Sequence, residues 1–114
     1  FAQQDKVIEI ITRLPFDNPK DPFYQKIESL FSKQGKSTFD SYSLPMMVLR
    51  FKQAIGRAQR RPEQRSAILL MDNRPLVKSY GKLFIKEVSQ EVTLRHAPFK
   101  QIKEDIQEFL EKEC

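Results

Sequence analysis

The chain reads as an α/β protein in which a partial parallel sheet is flanked by helices. Three observations carry that reading. Two runs, Lys6-Val7-Ile8-Glu9-Ile10-Ile11-Thr12 and Ser66-Ala67-Ile68-Leu69-Leu70-Met71-Asp72, are short, apolar and nearly continuous, as strands buried on both faces of a parallel sheet are. Only Glu9 interrupts the first run. Helical periodicity occupies the stretch between the runs and the stretch after them, so the order is strand, helix, helix, strand, helix. Two or three strands are few for a complete doubly wound sheet, which predicts a partial one.

Each element has its local signals. After the first strand, Leu14-Pro15-Phe16-Asp17-Asn18-Pro19-Lys20-Asp21-Pro22 forms a loop stiffened by three prolines. Asp21 fits a helix N-cap with Pro22 at the first helical position. Phe23, Ile27, Leu30 and Phe31 then recur at helical spacing, and Gly35 ends the helix. Lys33 to Asp40 is polar and expected to be mobile. Its Gly35-Lys36-Ser37 looks like the tail of a phosphate loop, but the upstream glycine and the preceding strand are missing.

Ser43 is the expected cap of a long helix from Leu44 to about Arg61, with Pro45 tolerated in its first turn. At about 100° per residue, Leu44, Met47, Val48, Phe51, Ala54, Ile55 and Ala58 share one arc. Gln53, Gly56, Arg57 and Arg60 fill the nearly opposite arc, where Leu49 is an apolar intruder. Pro62 to Arg65 makes a turn into the second strand. A helix is expected from Leu76 to Val88, with Gly81 inside it at a cost of roughly 1 kcal/mol against alanine. Glu91 to Arg95 suits a short strand. Phe99 to about Lys112 suits a charged terminal helix with Ile102, Ile106, Phe109 and Leu110 on one side.

Composition sets outer bounds. A length of 114 residues is one domain or part of one, with room for a modest core. Nine Phe supply most of its bulk. A start at Phe1 rather than Met is what a piece of a longer polypeptide would show. The net charge of +5 and the pI near 9.4 favour contact with the phosphates of nucleotides or nucleic acid. An ordinary domain with a small lysine excess has the same balance. The one cysteine, Cys114, excludes an internal disulfide and cannot build a zinc or iron–sulfur site alone, which suits a reducing cytoplasm. There is no apolar run of about 18 residues and no signal peptide, so no membrane is expected.

The chemistry concentrates in Gln53-Ala54-Ile55-Gly56-Arg57-Ala58-Gln59-Arg60, the pattern Gln-x-x-Gly-Arg-x-x-Arg. Its fixed members stand at i, i+3, i+4 and i+7 and share a helix face. Two guanidinium groups a turn apart, with an amide beside them, make a receptor for a polyphosphate. Each guanidinium offers parallel donors and a permanent charge to the oxygens of a phosphoryl group in transfer. Gln53 suits a phosphate oxygen or the attacking water, and Gly56 keeps the face low for close approach. Both arginines are expected to project from the ligand-facing rim of the sheet. An amphipathic helix with plain surface arginines shows the same spacing.

Asp72-Asn73-Arg74-Pro75 leaves the carboxyl end of the second strand, where ligands of open α/β sheets gather. Asp72 and Arg74 either pair to fix the strand end, or Arg74 supports a cleft or touches nucleic acid. Phe39, Tyr42 and Tyr80 lie near basic residues and could stack on bases; core or capping roles are the plainer reading. His96, the sole histidine, has no nucleophile to pair with.

The eight-residue pattern resembles the sixth motif of superfamily 2 helicases. Its approach, Tyr42-Ser43-Leu44-Pro45 through Val48-Leu49-Arg50-Phe51-Lys52-Gln53, is similar to that of the DinG and XPD group of DNA helicases. So are Leu14-Pro15-Phe16-Asp17-Asn18-Pro19, the strand ending in Asp72-Asn73-Arg74, and Tyr80-Gly81-Lys82-Leu83-Phe84. These elements stand in family order between about Lys6 and Val88. The resemblance implies the C-terminal part of a second RecA-like domain, of the P-loop NTPase type, over residues 1–96. The sixth motif would lie at 53–60 and a terminal helix at 97–114.

By that resemblance the parent is an ATP-dependent 5′-to-3′ DNA helicase, or a relative whose ATPase serves a nuclease. Gln53, Gly56, Arg57 and Arg60 would bind ATP across the cleft, Arg57 and Arg60 would be its arginine fingers, and Arg74 would be a weaker nucleic-acid contact. ATP with Mg²⁺, single-stranded DNA and an upstream RecA-like domain of the same polypeptide would be the partners. The departures are as informative. There is no Gly-x-x-x-x-Gly-Lys-Ser/Thr loop and no Asp-Glu-x-His box, and the four cysteines of the group's iron–sulfur cluster are absent, so the cluster's status is open. The chain alone is therefore expected not to hydrolyse ATP. A stand-alone basic nucleic-acid-binding module without chemistry is the alternative from another class.

Overall fold

The structure, a computed structural model, describes residues 6–59 and 65–111. Strands β1 (Lys6–Ile11) and β2 (Arg65–Leu70) pair in parallel, in a register that sets Lys6 beside Arg65 and Ile11 beside Leu70. Alternation along the strands puts Ile11, Ile68 and Leu70 on one face, and these pack on the core. The opposite face carries Ile8, Ile10, Ala67 and Leu69. There Ile10 is 58% exposed, so the expectation of strands buried on both faces is not met among the described residues.

Helix α1 (Pro22–Lys33) starts as its residues dictate. Asp21 is extended and its carboxylate accepts from the Phe23 N–H at 2.8 Å, with Pro22 in the first turn. At the other end Gly35 has φ +70°, the left-handed conformation that glycine adopts freely. The Gly35 N–H donates to Ser32 O and the Lys36 N–H to Phe31 O, which closes the helix in a Schellman motif. The segment expected to be mobile is thus tied at its start. Ser37 ties it again, its Oγ accepting from the Asp40 N–H at 3.2 Å.

The inward face of α1 differs from the one the spacing suggests. Phe23 and Leu30 point outward, at 64% and 56% exposure, and Tyr24, Ile27 and Phe31 are half-buried instead. Tyr24 sets this phase. Its hydroxyl lies 2.9 Å from the buried Ser43 hydroxyl, and its ring and that of Phe31 flank Tyr42. Ser43 is therefore not the helix cap expected of it. It has helical backbone angles at the end of a π-helical turn, Phe39–Ser43, that runs straight into the next helix.

Helix α2 (Leu44–Ala58) buries Leu44, Met47, Val48, Phe51, Ala54, Ile55 and Ala58, the whole apolar arc read from the sequence. Met47 is wholly buried, as is Val88 on the facing helix. Phe51 meets Phe84 edge-on with centroids 5.0 Å apart, and Leu14 completes the cluster. Lys52 pairs with Glu87 at 3.4 Å along the same contact.

The single helix expected from Leu76 to Val88 is two. Short α3 (Arg74–Val77) ends in an extended Lys78, and α4 (Gly81–Ser89) starts afresh. Gly81 lies at the start of α4, where a Cβ would overlap the Pro75 carbonyl. The strand expected at Glu91–Arg95 is irregular chain: Glu91 and Val92 both donate to Val88 O, and Val92 packs on the core as a turn residue. Helix α5 (Phe99–Glu111) buries no residue completely. Its C-terminal turn is held where the Lys6 ammonium donates to Leu110 O at 3.0 Å, and Asp105 pairs with Arg95 at 2.9 Å.

Gly81→Ala should cost more than about 2 kcal/mol, because the added methyl meets a fixed backbone carbonyl rather than a movable side chain. The denaturant midpoint of the variant checks this, and a shift smaller than a few tenths of a kcal/mol would contradict the packing.

Candidate functional site

Two groups of polar side chains stand at opposite ends of α2. The helix runs antiparallel to the strands. Arg50, in its second turn, reaches residues just beyond the carboxyl end of β1; Gln59, just past its last turn, accepts from Ser66 Oγ at 2.6 Å, at the start of β2.

At the amino ends of the strands lies the Gln-x-x-Gly-Arg segment. Gln53, Gly56 and Arg57 are all exposed on the outward face of α2. Arg57 occupies the last turn, where a cation suits the negative end of the helix dipole. Among the described residues the space over Gly56 is open, for a Cβ built there meets nothing within 4 Å. Arg60 lies outside the described residues, and so does the turn at Pro62. The expectation that the arginines project from the carboxyl rim of the sheet is not met for Arg57. The reason is topological: a helix separated from the next strand by only a few residues must finish where that strand begins.

The neighbouring cations of α2 are drawn away from this face. Arg50 Nη2 pairs with Asp17 at 3.1 Å and its Nη1 donates to Pro15 O at 3.2 Å, which pins the proline-stiffened loop to the helix. Nothing in the sequence pattern marked Arg50 for this. The loop's three prolines, which fix its path, were the available signal.

At the carboxyl ends of the strands stands Asp72. Its Oδ2 accepts the Leu14 N–H at 2.9 Å, and its two oxygens take the Arg74 N–H at 3.0 Å and the Arg74 Nε–H at 2.8 Å to Oδ2. Arg74 Nη2 donates to the same carboxylate. The guanidinium carbon lies 5.4 Å from the centre of the Phe16 ring. Phe16, Phe39 and Tyr80 form a triangle with centroids 5.4 to 5.7 Å apart. This is the geometry of a pair that fixes the strand end, the first of the two readings for Asp72 and Arg74. The aromatic side chains Phe39 and Tyr80 contact each other and Phe16, while Tyr42 contacts Tyr24 and Phe31.

The hydrogen bonds from Arg74 hold the Asp72 carboxyl down at about 2, against an ordinary 3.8, with the backbone N–H groups of Leu14 and Arg74 adding to the effect and burial opposing it. Burial raises the Tyr80 phenol.

The chain is thus an α/β domain with an exposed Gln-x-x-Gly-Arg helix face. Residues 1–91 match the model of the helicase C-terminal domain, and the chain belongs to that family. It is 40% identical over 85 residues to the 3′-5′ exonuclease DinG of Bacillus subtilis (strain 168), covering 75% of this chain and 9% of that protein. It is 34% identical over 76 residues to the ATP-dependent DNA helicase YoaA of Escherichia coli (strain K12), covering 67% of this chain and 12% of that protein. Against the 3′-5′ exonuclease DinG of Staphylococcus aureus (strain NCTC 8325 / PS 47) the identity is 36% over 100 residues, 88% of this chain and 10% of that protein. The chain thus spans about a tenth of the length of these curated relatives. No solved structure matches it. No helix among the described residues is long and apolar enough to cross a membrane.

Asp72 makes stability depend on acidity. A carboxyl whose folded pKa is depressed stabilises the fold above its unfolded pKa, and the benefit is lost as pH falls through the folded value. The contribution, about 2 kcal/mol at most, should therefore disappear between pH 3.8 and about 2. Asp72→Asn should remove that dependence and lower the neutral-pH stability; urea titrations at several acidities read both.

Proposed function

We propose that this chain is the part of an ATP-dependent DNA helicase motor that presents guanidinium groups to ATP bound on another domain of the same polypeptide. The observation that supports this reading is the Gln-x-x-Gly-Arg-x-x-Arg pattern of the sequence, whose Gln53, Gly56 and Arg57 lie on the outward face of α2 with the apolar arc anchored and nothing among the described residues over Gly56. In the mechanism, Arg57 and Arg60 meet the charge that spreads over the equatorial oxygens of the γ-phosphoryl group, and Gln53 holds a phosphate oxygen or the attacking water. With ATP in place the guanidinium groups draw the two domains together. Loss of the γ-phosphate releases them, and repeated closure moves the motor along single-stranded DNA.

The chain does not carry the whole reaction. It lacks a phosphate loop, and among its described residues no three His, Cys, Asp or Glu side chains converge. Ligands for Mg²⁺ and the cradle for the β- and γ-phosphates belong to the rest of the motor. A second reading keeps the same ATPase role but assigns the longer protein to nucleic-acid degradation; its support is that two of the relatives above are described as 3′-5′ exonucleases.

In the full-length polypeptide, Arg60→Ala should lower ATP turnover by about 10³-fold or more while ATP affinity changes only a few-fold. Equal losses in both would make Arg60 a binding group only. The 114-residue chain alone should not turn over ATP. Gly56→Ala should stabilise the chain by about 1 kcal/mol, since the methyl has room and alanine favours helix, yet reduce turnover in the full-length protein. Chemical denaturation and a steady-state ATPase assay separate the two effects.

A further inference from the structure

The outward face of α2 is apolar at one end and rich in hydrogen-bond donors at the other. On a helical wheel of about 100° per residue, Met46, Leu49 and Arg57 all fall within about 40° of Gln53. Met46 is half-buried and Leu49 is 46% exposed. A lone exposed leucine calls for no explanation. This one lies one turn before Gln53, in line with Gly56 one turn beyond. Glycine in mid-helix costs roughly 1 kcal/mol against alanine, and within the described residues nothing comes near enough to demand it. Whatever requires a low surface there approaches from outside these residues. The long side chains beside the stripe are tied back, Arg50 to Asp17 and Lys52 to Glu87, so both flanks stay low as well.

We infer that Leu49, Gln53, Gly56 and Arg57 form one continuous contact stripe for the nucleotide-bearing domain of the same polypeptide, and that Leu49 is its apolar anchor. The inference rests on the function proposed above. Its occupant follows from the chemistry along the stripe. A protein surface with a bound polyphosphate offers an apolar patch to Leu49 and anionic oxygens to Gln53 and Arg57. Single-stranded nucleic acid offers anions too, but binds through aromatic stacking platforms, which an aliphatic side chain does not supply. A second copy of this chain would bring cation against cation, at a net charge of +5 each. Leu49 is thus a positioning residue: it favours the closed arrangement in which the guanidinium groups reach ATP, and takes no part in the chemistry.

The test uses the full-length polypeptide with Leu49→Gln, Leu49→Met and Arg57→Ala. Leu49→Gln keeps helix propensity but loses the apolar contact. It should weaken binding of a non-hydrolysable ATP analogue, and raise the KM for ATP, by about tenfold, the scale set by burying half a leucine. ADP, which does not hold the domains closed, should bind within about twofold of wild type, and the thermal midpoint of the unliganded protein should not move, since Leu49 is exposed. Leu49→Met should restore analogue binding and KM. Wild-type analogue affinity in Leu49→Gln, or an equal defect in Leu49→Met, overturns the inference and leaves the role of Arg57 standing. Wild-type turnover in Arg57→Ala overturns the functional reading itself.

Discussion

The rotational setting of α2 governs the rest of the molecule. Seven side chains, from Leu44 to Ala58, are pressed against β1, β2 and α4, and Met47 at their centre is wholly buried. Rotation by one residue in one sense would carry Met47 out of the apolar arc, and in the other sense would bring Arg57 into it. Burying a large apolar side chain contributes about 1.5 to 3 kcal/mol, whereas burying a guanidinium without a partner costs several. The helix therefore has one tolerable phase. Because that phase is fixed by apolar burial, the outward direction of Gln53, Gly56 and Arg57 follows from it.

The far end of α2 is secured by a different kind of force. Arg50 holds the loop after β1, and Asp72 holds the same loop through the Leu14 N–H while gripping Arg74. Leu14 belongs to the core and Phe16 lies under the guanidinium, so polar and apolar contacts reinforce each other there. Gly81 lets α4 fold back closely enough on Pro75 for Tyr80 to join Phe16 and Phe39. The carboxyl rim of the sheet, where ligands of open α/β sheets gather, is in this chain occupied by its own side chains.

What the sequence disclosed, and what it hid, divides along physical lines. The apolar arc of α2, the Asp21 cap, the Gly35 stop and both strands were legible, because each depends on residues close in sequence. The phase of α1 was not. Phe23 and Leu30 are as apolar as Phe31, and only the hydroxyl contact between Tyr24 and Ser43, 19 residues apart, decides which side faces in. The same contact removed Ser43 from its expected capping role. The break between α3 and α4 was hidden for a related reason: Gly81 suggested a weak point in a helix, but the carbonyl that it accommodates belongs to Pro75 in the preceding turn. In the candidate site the outward face of Gln53, Gly56 and Arg57 was legible from spacing. Their height along the sheet was not, since it depends on the direction in which α2 crosses the strands.

That height changes how the motif could act. A charged group at the carboxyl rim would share space with the Asp72–Arg74 pair and would compete for its carboxylate. Placed instead at the amino ends of the strands, Arg57 is separated from Asp72 by most of the length of α2, about 1.5 Å for each residue from Arg50 onward. The two ends can then do different work. The carboxyl end is held by the Asp72 carboxylate and the aromatic triangle, whereas Leu49, Gln53, Gly56 and Arg57 stand exposed on the outward face. A helix clamped at its first turns and along its whole apolar arc moves as a rigid body with its domain. Under the function proposed above, force developed at Gln53 and Arg57 would pass through α2 into the core rather than be lost in bending, because both stand on a helix and not on a loop.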